Sequence, residues 1–315
     1  MQIQFLGTGA GMPSKERNTS ALAVKLLEER GTFWLFDCGE ATQHQILHTT
    51  LKPRKLEKIF ITHLHGDHIL GLPGLLSSRS FQGGEELLTI YGPAGLKQWV
   101  ELTFQLSQTH LNYPIEFVEV MEGIVFEDED FIVTAKSLQH VIPCFGYRIV
   151  QKPLPGTLQI EKARELDVPN GPLLGQLKKG LDITLEDGRI VKSSDVTGPP
   201  KKGFIVTILG DTRSCENAIL LSENADIVVH ESTFNHATET LAANYGHSTN
   251  MDAANVAIKA GAKNLLLNHL SARFFPQDIK NMLQEVQAEF ENAHIVEDFA
   301  EYEWYQDKLS LYIQE

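Results

Sequence analysis

The apolar positions of this chain form two stretches of strand-and-helix texture, separated by a third in which neither period holds. In the first stretch, apolar or alternating runs at 3–6, 21–27, 32–37 and 58–61 predict strands, as do 88–91, 117–120, 131–135 and 145–150. Helical spacing occurs at 40–47, 71–78 and 96–106. From 204 onward the alternation is clear: strands at 204–209, 226–229, 264–268 and 294–297, and helices at 216–222, near 238–243, at 251–260 and at 276–290. Pro276 suits the start of the last helix, where no N–H donor is needed. Strand-rich halves with interspersed helices bury their apolar faces as two stacked sheets with helices outside. The expected fold is therefore α/β, a four-layer αβ/βα sandwich.

The middle stretch, 151–203, holds Pro153, Pro155, Pro169, Pro172, Pro199 and Pro200 together with several glycines. Breakers at that density argue for an insertion and against core structure. Because the stretch also carries Leu, Ile and Val, a protruding arm built on a hairpin is preferred to a disordered linker. Residues 158–161 and 190–191 are the candidate strand pair, and 160–166 a helical turn. The organisation expected is one domain over 1–315 with a flexible inserted arm over 151–203.

Candidate chemistry is concentrated in Thr62-His63-Leu64-His65-Gly66-Asp67-His68, which follows the apolar run at 58–61. Side chains alternate on a strand, so His63 and His65 project to one side. A turn at Gly66 swings Asp67 and His68 around, where they could hold a second ion. Imidazole and carboxylate without thiolate suit zinc, or manganese if oxygen ligands dominate. Further His and Asp residues stand where strands hand over to loops, the edge at which α/β folds place their chemistry. These are His140, Asp211 and His269. The ligand set is then His63, His65, Asp67, His68, His140, His269 and a shared Asp211. The glycine loop Gly7-Thr8-Gly9-Ala10-Gly11 lacks the GK[ST] ending of a phosphate cradle and reads as a tight turn.

An HxHxDH run followed by His, Asp and His resembles the metallo-β-lactamase superfamily. Within it, four further matches resemble the ribonuclease Z family in its short form. Pro13-Ser14-Lys15-Glu16-Arg17-Asn18 fits a PxKxRN pattern, and His230-Glu231-Ser232-Thr233 resembles the HEAT box, with Ser232 in place of alanine. His247-Ser248-Thr249 matches the HST box, and Pro169-Asn170-Gly171-Pro172-Leu173-Leu174-Gly175-Gln176-Leu177 resembles the glycine–proline motif of the family's tRNA-binding arm. The resemblance runs from Phe5 to Arg273, nearly the whole chain.

This resemblance implies a metallo-β-lactamase fold, two zinc ions per chain (manganese being possible), and precursor tRNA as substrate. It implies removal of the 3′ trailer after the discriminator nucleotide, leaving a 3′-hydroxyl on the tRNA and a 5′-phosphate on the trailer. Two-metal sites activate water and neutralise phosphoryl charge. Asp67 usually has the role of general base; as a metal-bound carboxylate it is read here chiefly as an orienting group. His247, held charged by Glu231, is the candidate donor of the leaving-group proton. Asp37 is expected to support the ligand loops. For substrate contact the candidates are Lys15, Arg17 and Asn18 in the early loop, Ser271 and Arg273 past the last histidine, and Gly175, Lys178 and Lys179 on the arm. The family is commonly dimeric, so a homodimer is expected, with the arm serving the neighbouring subunit.

Composition qualifies this picture. The 315 residues carry a net charge of −14, which by itself favours a small-molecule enzyme over an RNA-binding one. The charge is uneven: residues 148–203 hold ten Lys and Arg against seven Asp and Glu, which leaves 17 against 34 elsewhere. Binding would rest on local basic elements, with the acidic bulk opposing nonspecific adhesion. Cys38, Cys144 and Cys215 form no CxxC pair and suit free thiols in a reducing compartment. No signal peptide is visible and no run reaches the roughly 18 to 20 apolar residues of a membrane span, so the expectation is a cytoplasmic protein without membrane contact. Two rivals remain. A small-molecule phosphodiesterase, sulfatase or lactonase of the same superfamily would have no use for the arm. A catalytically inactive RNA-binding scaffold would be free to lose several of the seven ligands.

Overall fold

The computed structural model describes residues 1–312, so the last three residues of the expected domain lie outside the described residues. The chain divides into two compact units: Met1–Phe126 with Val133–Ile149 and Ile205–Glu315, and Glu127–Ile132 with Val150–Phe204.

Two sheets organise the first unit. In spatial order, one contains Lys308–Leu311, Glu301–Tyr305, Gln2–Gly7, Ala21–Leu26, Thr32–Phe36, Leu56–Phe60, Leu88–Gly92 and Ile115–Glu119. The other runs Ala293–Ile295, Leu265–Asn268, Ile227–Glu231, Ile205–Ile208, Cys144–Gln151, Phe131–Leu138 and Gly123–Glu127. Ala21–Leu26, Leu88–Gly92, Ile227–Glu231 and Leu265–Asn268 are buried at every residue. That is the pattern of strands covered on both faces, and it explains why they read as continuous apolar runs.

An aromatic seam joins the sheets. The Phe36 ring stacks on Phe60 at 4.9 Å, both meet Tyr147 from the opposite sheet, and the Tyr147 hydroxyl donates to the Ile61 carbonyl at 2.6 Å. Helices Leu72–Phe81 and Leu96–Ser107 cover the outer face of the first sheet, contributing Leu72, Leu75, Leu76, Leu96 and Val100 to its core. Helices Glu216–Leu221, Asn250–Ala260 and Pro276–Glu289 cover the second. The layers are helix, sheet, sheet, helix.

The second unit has a small core of its own, built from Ala163, Val168, Leu177, Ile183, Leu185, Val191 and Val196. Helices Ile160–Glu165 and Pro172–Lys178 pack into it, and Ile183–Thr184 pairs antiparallel with Ile190–Val191. This corrects the expected pairing: Ile190 and Val191 meet 183–184, whereas Leu158 bridges to Thr197. The turn at Gly188 (φ +87°) closes the short hairpin that sequence pattern had assigned to more distant partners. The helix Pro172–Lys178 was unanticipated, because its Gly–Pro start reads as a breaker. The hairpin Glu301–Tyr305 and Lys308–Leu311 was also missed. Its turn places Gln306 and Asp307 at φ +48° and +59°, the primed-turn geometry that matches strand twist, without the usual glycine.

Candidate active site

The chemistry-bearing residues stand at the C-terminal ends of parallel strands from both sheets. Thr32–Phe36 delivers Asp37, Leu56–Phe60 delivers Thr62 to His68, Ile205–Ile208 delivers Asp211, Ile227–Glu231 ends on Glu231, and Leu265–Asn268 delivers His269. The two sheets approach closely here. A Cβ on Gly210 would lie 2.6 Å from Cys144 Sγ and 2.7 Å from Thr62 Cβ, so only glycine lets Asp211 reach the seam. Asp37 and His269 take left-handed backbone (φ +56° and +57°), a conformation that Asp and His adopt more readily than most non-glycine residues, and it turns each side chain inward at its strand end.

Seven side chains converge as two cages. His63, His65, His140 and Asp211 form one, and Asp67, His68 and His269 the other. In the first, His65 Nδ1 lies 3.1 Å from both His63 Nε2 and His140 Nε2, and His63 Nε2 lies 3.6 Å from Asp211 Oδ2. In the second, His68 Nε2 is 3.2 Å from His269 Nε2, and Asp67 Oδ2 is 3.3 and 3.6 Å from His269 and His68. The same Asp211 Oδ2 lies 3.5 Å from both His68 and His269, so it belongs to the edge common to both cages. Ligand atoms about 2.0 to 2.1 Å from a tetrahedral centre are separated by about 3.3 Å. The observed spacings bracket that value, and the donors are imidazole and carboxylate with no thiolate. The residues fit divalent metal ions.

Protonation agrees with this fit. Burial pushes His63 well below the ordinary imidazole range and lowers His65 and His140 too, so neutral lone pairs face the first cage. Burial also opposes the charge on Asp211, but His269, His68 and His63 hold its carboxyl well below the usual range. His68 differs. Although burial works against its charge, Asp211 and Asp37 raise it well above the ordinary value.

Hydrogen bonds set each ring. His68 Nδ1 donates to Asp37 Oδ2 (2.7 Å), and Asp37 in turn accepts from the Thr62 amide and hydroxyl at 2.8 and 2.9 Å. His140 Nδ1 donates to the Gly246 carbonyl (2.8 Å), and His269 Nδ1 to the Thr233 hydroxyl (2.7 Å). In all three rings Nε2 is thereby turned to the cage, the outer bond selecting the tautomer. The Gly11 amide donates to Asp67 Oδ2 at 2.7 Å. Of these supports only Asp37 was legible in the sequence. Thr62 and Thr233 lie inside quoted motifs, so adjacency to a ligand was the available signal; Gly11 and Gly246 offered none.

Beside the cages His247 Nδ1 donates to Glu231 Oε1 at 2.9 Å. Glu231 is buried and also accepts from the Thr212 and Thr233 amides, at 2.9 and 3.2 Å. Burial disfavours the imidazolium, but Glu231 with Asp211 and Asp67 outweighs it and raises His247 to about 9. The HST box divides its work. Ser248 donates to the Thr212 carbonyl (2.6 Å), while Thr249 caps Asn250–Ala260 in a reciprocal box with Asp252, leaving His247 free to face the cleft.

The cleft, about 450 Å³, is lined by His65, Asp67, His140, His247 and His269 and by Phe234, Tyr245, Ser271 and Arg273. Arg273 is exposed, its guanidinium 4.7 Å from the Phe234 ring centre and its Nε donating to Ser271 Oγ at 3.0 Å. Lys15 is exposed; Asn18 is half-buried, its amide bonded to Asp298 and its side chain to the Glu40 carbonyl. Arg17 requires a correction. Its guanidinium is buried, donating to the Thr8 hydroxyl (2.7 Å) and the Val296 carbonyl (2.6 Å), so it braces the early loop and does not face a substrate. Gly175, Lys178 and Lys179 belong to the second unit, all exposed, and a Cβ on Gly175 would meet nothing within 4 Å.

Two facing sheets with two cages at their joint strand ends define a protein of the metallo-β-lactamase fold. The crystal structure of the metallo-beta-lactamase fold protein YhfI from Bacillus subtilis matches with a TM-score of 0.66, covering 95% of this chain and 98% of that one at 21% identity, a likeness of fold alone. A family model described as Anti-Pycsar protein Apyc1 matches residues 1–143, which include the HxHxDH run but neither the second unit's main segment nor Asp211, Glu231, His247 and His269. More similar are a ribonuclease Z of Limosilactobacillus fermentum, 58% identical over 95% of this chain and 96% of its own length, and one of Bacillus velezensis, 57% identical over 96% and 98%. The crystal structure of human tRNase Z, short form, aligns with a TM-score of 0.69 at 31% identity, covering 96% of this chain and 98% of that one. The chain belongs to the ribonuclease Z family.

Proposed function

We propose that this chain is a metal-dependent endoribonuclease that removes the 3′ trailer from tRNA precursors after the discriminator nucleotide. The observation that carries the reading is one cleft containing two ligand cages joined at Asp211 and a carboxylate-held histidine beside them, in a chain of this family. The seven ligands would hold two zinc ions, which when bound acidify water and offset charge on a phosphoryl group. Asp67, its Oδ2 held by the Gly11 amide, orients the attacking water. His247 is fixed through Nδ1 by Glu231, so Nε2–H is the proton offered to the departing 3′-oxygen. The trailer then leaves with a 5′-phosphate and the tRNA keeps a 3′-hydroxyl.

Arg273 and Lys15, both exposed, are the candidates for phosphates near the cut, and Ser271 and Asn18 hold those segments in place. The second unit, with exposed Lys178 and Lys179, is read as the arm that grips the tRNA, acting on the neighbouring subunit of a homodimer in the cytoplasm. Among the described residues no helix is long and apolar enough to cross a membrane.

The test is incubation with a precursor tRNA, with and without chelator. Cleavage after the discriminator should occur, stop with chelator and return with zinc, and elemental analysis should find about two ions per chain. Hydrolysis of a small phosphodiester without any cleavage of the precursor would overturn the reading in favour of a small-molecule enzyme.

A further inference from the structure

We propose that the ring of Tyr245 is the stacking platform for the nucleobase immediately 5′ of the cut, an inference that rests on the precursor-processing reading above. Tyr245 ends the helix Glu239–Tyr245, lines the cleft and is 58% exposed, whereas Phe234 next to it is 3% exposed. The two rings are nearly parallel, 8° apart in plane with centres 6.4 Å apart. Phe234 is immobilised from the backbone, its amide donating to the Ser248 carbonyl (3.2 Å) and its carbonyl accepting from the Asn250 amide (3.0 Å), and Arg273 lies over its face. A buried, fixed ring therefore sets the plane of an exposed one.

What gives that exposed ring a ligand is its place in the chain. Tyr245, Gly246 and His247 are consecutive and serve the same cleft. Gly246, at φ +77°, reverses the chain, and its carbonyl accepts from the metal-cage residue His140, while the His247 amide donates to Ala242. A Cβ on Gly246 would crowd His140 Nδ1 and Val141, both at 3.1 Å, so this turn has no slack. His247 delivers its proton to the 3′-oxygen of the nucleotide 5′ of the cut. Phe234 links the two residues, its ring centre 6.4 Å from that of Tyr245 and 5.9 Å from that of His247, which puts the exposed ring within a nucleotide's reach of the acid and assigns it the base of that same nucleotide. Aromatic stacking accepts any base, because every base has a π face, and it would fix the sugar against His247 without reading sequence.

The experiment compares two precursor tRNAs, one normal and one abasic at the discriminator, cleaved by the wild-type enzyme, Tyr245→Ala and Tyr245→Phe. On the normal precursor Tyr245→Ala should lower kcat/KM roughly 5- to 150-fold, the usual worth of one stacked base, and Tyr245→Phe should restore most of it. On the abasic precursor the wild type and Tyr245→Ala should agree within about twofold, since the interaction probed by the cycle is gone. Equal losses on both precursors, or no loss on the normal one, would overturn the proposal. A change in molecular mass on Tyr245→Ala would overturn it in favour of a contact with a second copy of the chain. If the wild type cleaves neither precursor, the functional reading itself fails and this proposal falls with it.

Discussion

His247 is under two opposed influences: burial strips water from its ring, while Glu231 at 2.9 Å and the carboxylates of the cages favour its charge. The balance raises it to about 9, and cations in the cages would pull it back down, so the proton is available at neutral pH. For an acid catalyst the sign is fixed. Rate is retained below the pKa and lost as pH rises through it, so cleavage should decline on the alkaline side at or below about pH 9. His247→Ala should slow precursor cleavage by roughly 10²- to 10⁴-fold while sparing metal content. A nitrophenyl phosphodiester, whose leaving group needs no proton, should lose far less. Equal losses on both substrates would place His247 in some other role. Arg17 illustrates the converse at this scale: a cation in a family motif, turned inward to Thr8 and Val296, so Arg17→Ala is a packing lesion in the loop and not the removal of a phosphate contact.

At the scale of the element, the start of Asn250–Ala260 controls where His247 stands. The Thr249 hydroxyl accepts from the Asp252 amide and the Asp252 carboxylate accepts from the Thr249 amide, satisfying donors that the helix itself leaves free. Thr249→Ala should cost about 1 kcal/mol of stability, read as a lowered denaturant midpoint. An unchanged midpoint would show that the cap contributes nothing measurable. Most main elements were legible from period alone, because strands buried on both faces and amphipathic helices write their environment into local sequence. The failures share a cause. In the 301–311 hairpin Glu301–Tyr305 alternates acids with aromatics and Lys308–Leu311 is a four-residue edge strand, so polar residues and shortness weaken the pattern, and the Ile183–Thr184 pairing is too short for any period to show.

For the whole molecule the consequential feature is the separation of compact units. All seven cage residues lie in the first unit and the basic insertion in the second, so chemistry and anchoring should be separable by mutation. Replacing 151–203 by a short Gly-Ser linker should abolish precursor cleavage while hydrolysis of a small phosphodiester survives. Normal processing by the arm-deleted chain would refute the anchoring role. If a homodimer forms with the arm acting in trans, mixing the arm-deleted chain with an Asp211→Ala chain should restore cleavage. Lys178→Ala with Lys179→Ala should flatten the salt dependence of tRNA binding by roughly one unit of slope or less for each lost phosphate contact.

The sequence by itself determined the identity of the cage residues and the strand ends that present them. A strand's apolar run is local, and the residue that follows it inherits the sheet edge where ligands gather. Only the tertiary structure decided how those side chains are held. The Gly246 carbonyl meets His140 across 106 residues, the Gly11 amide meets Asp67 across 56, and Thr233 meets His269 across 36. It also decided that Arg17 faces inward and that Tyr245 stands exposed beside the acid. These are contacts between segments that share no period. They arise from sheet register, from close backbone approach at Gly210 and from the reversal at Gly246, which become definite when the two sheets pack against each other.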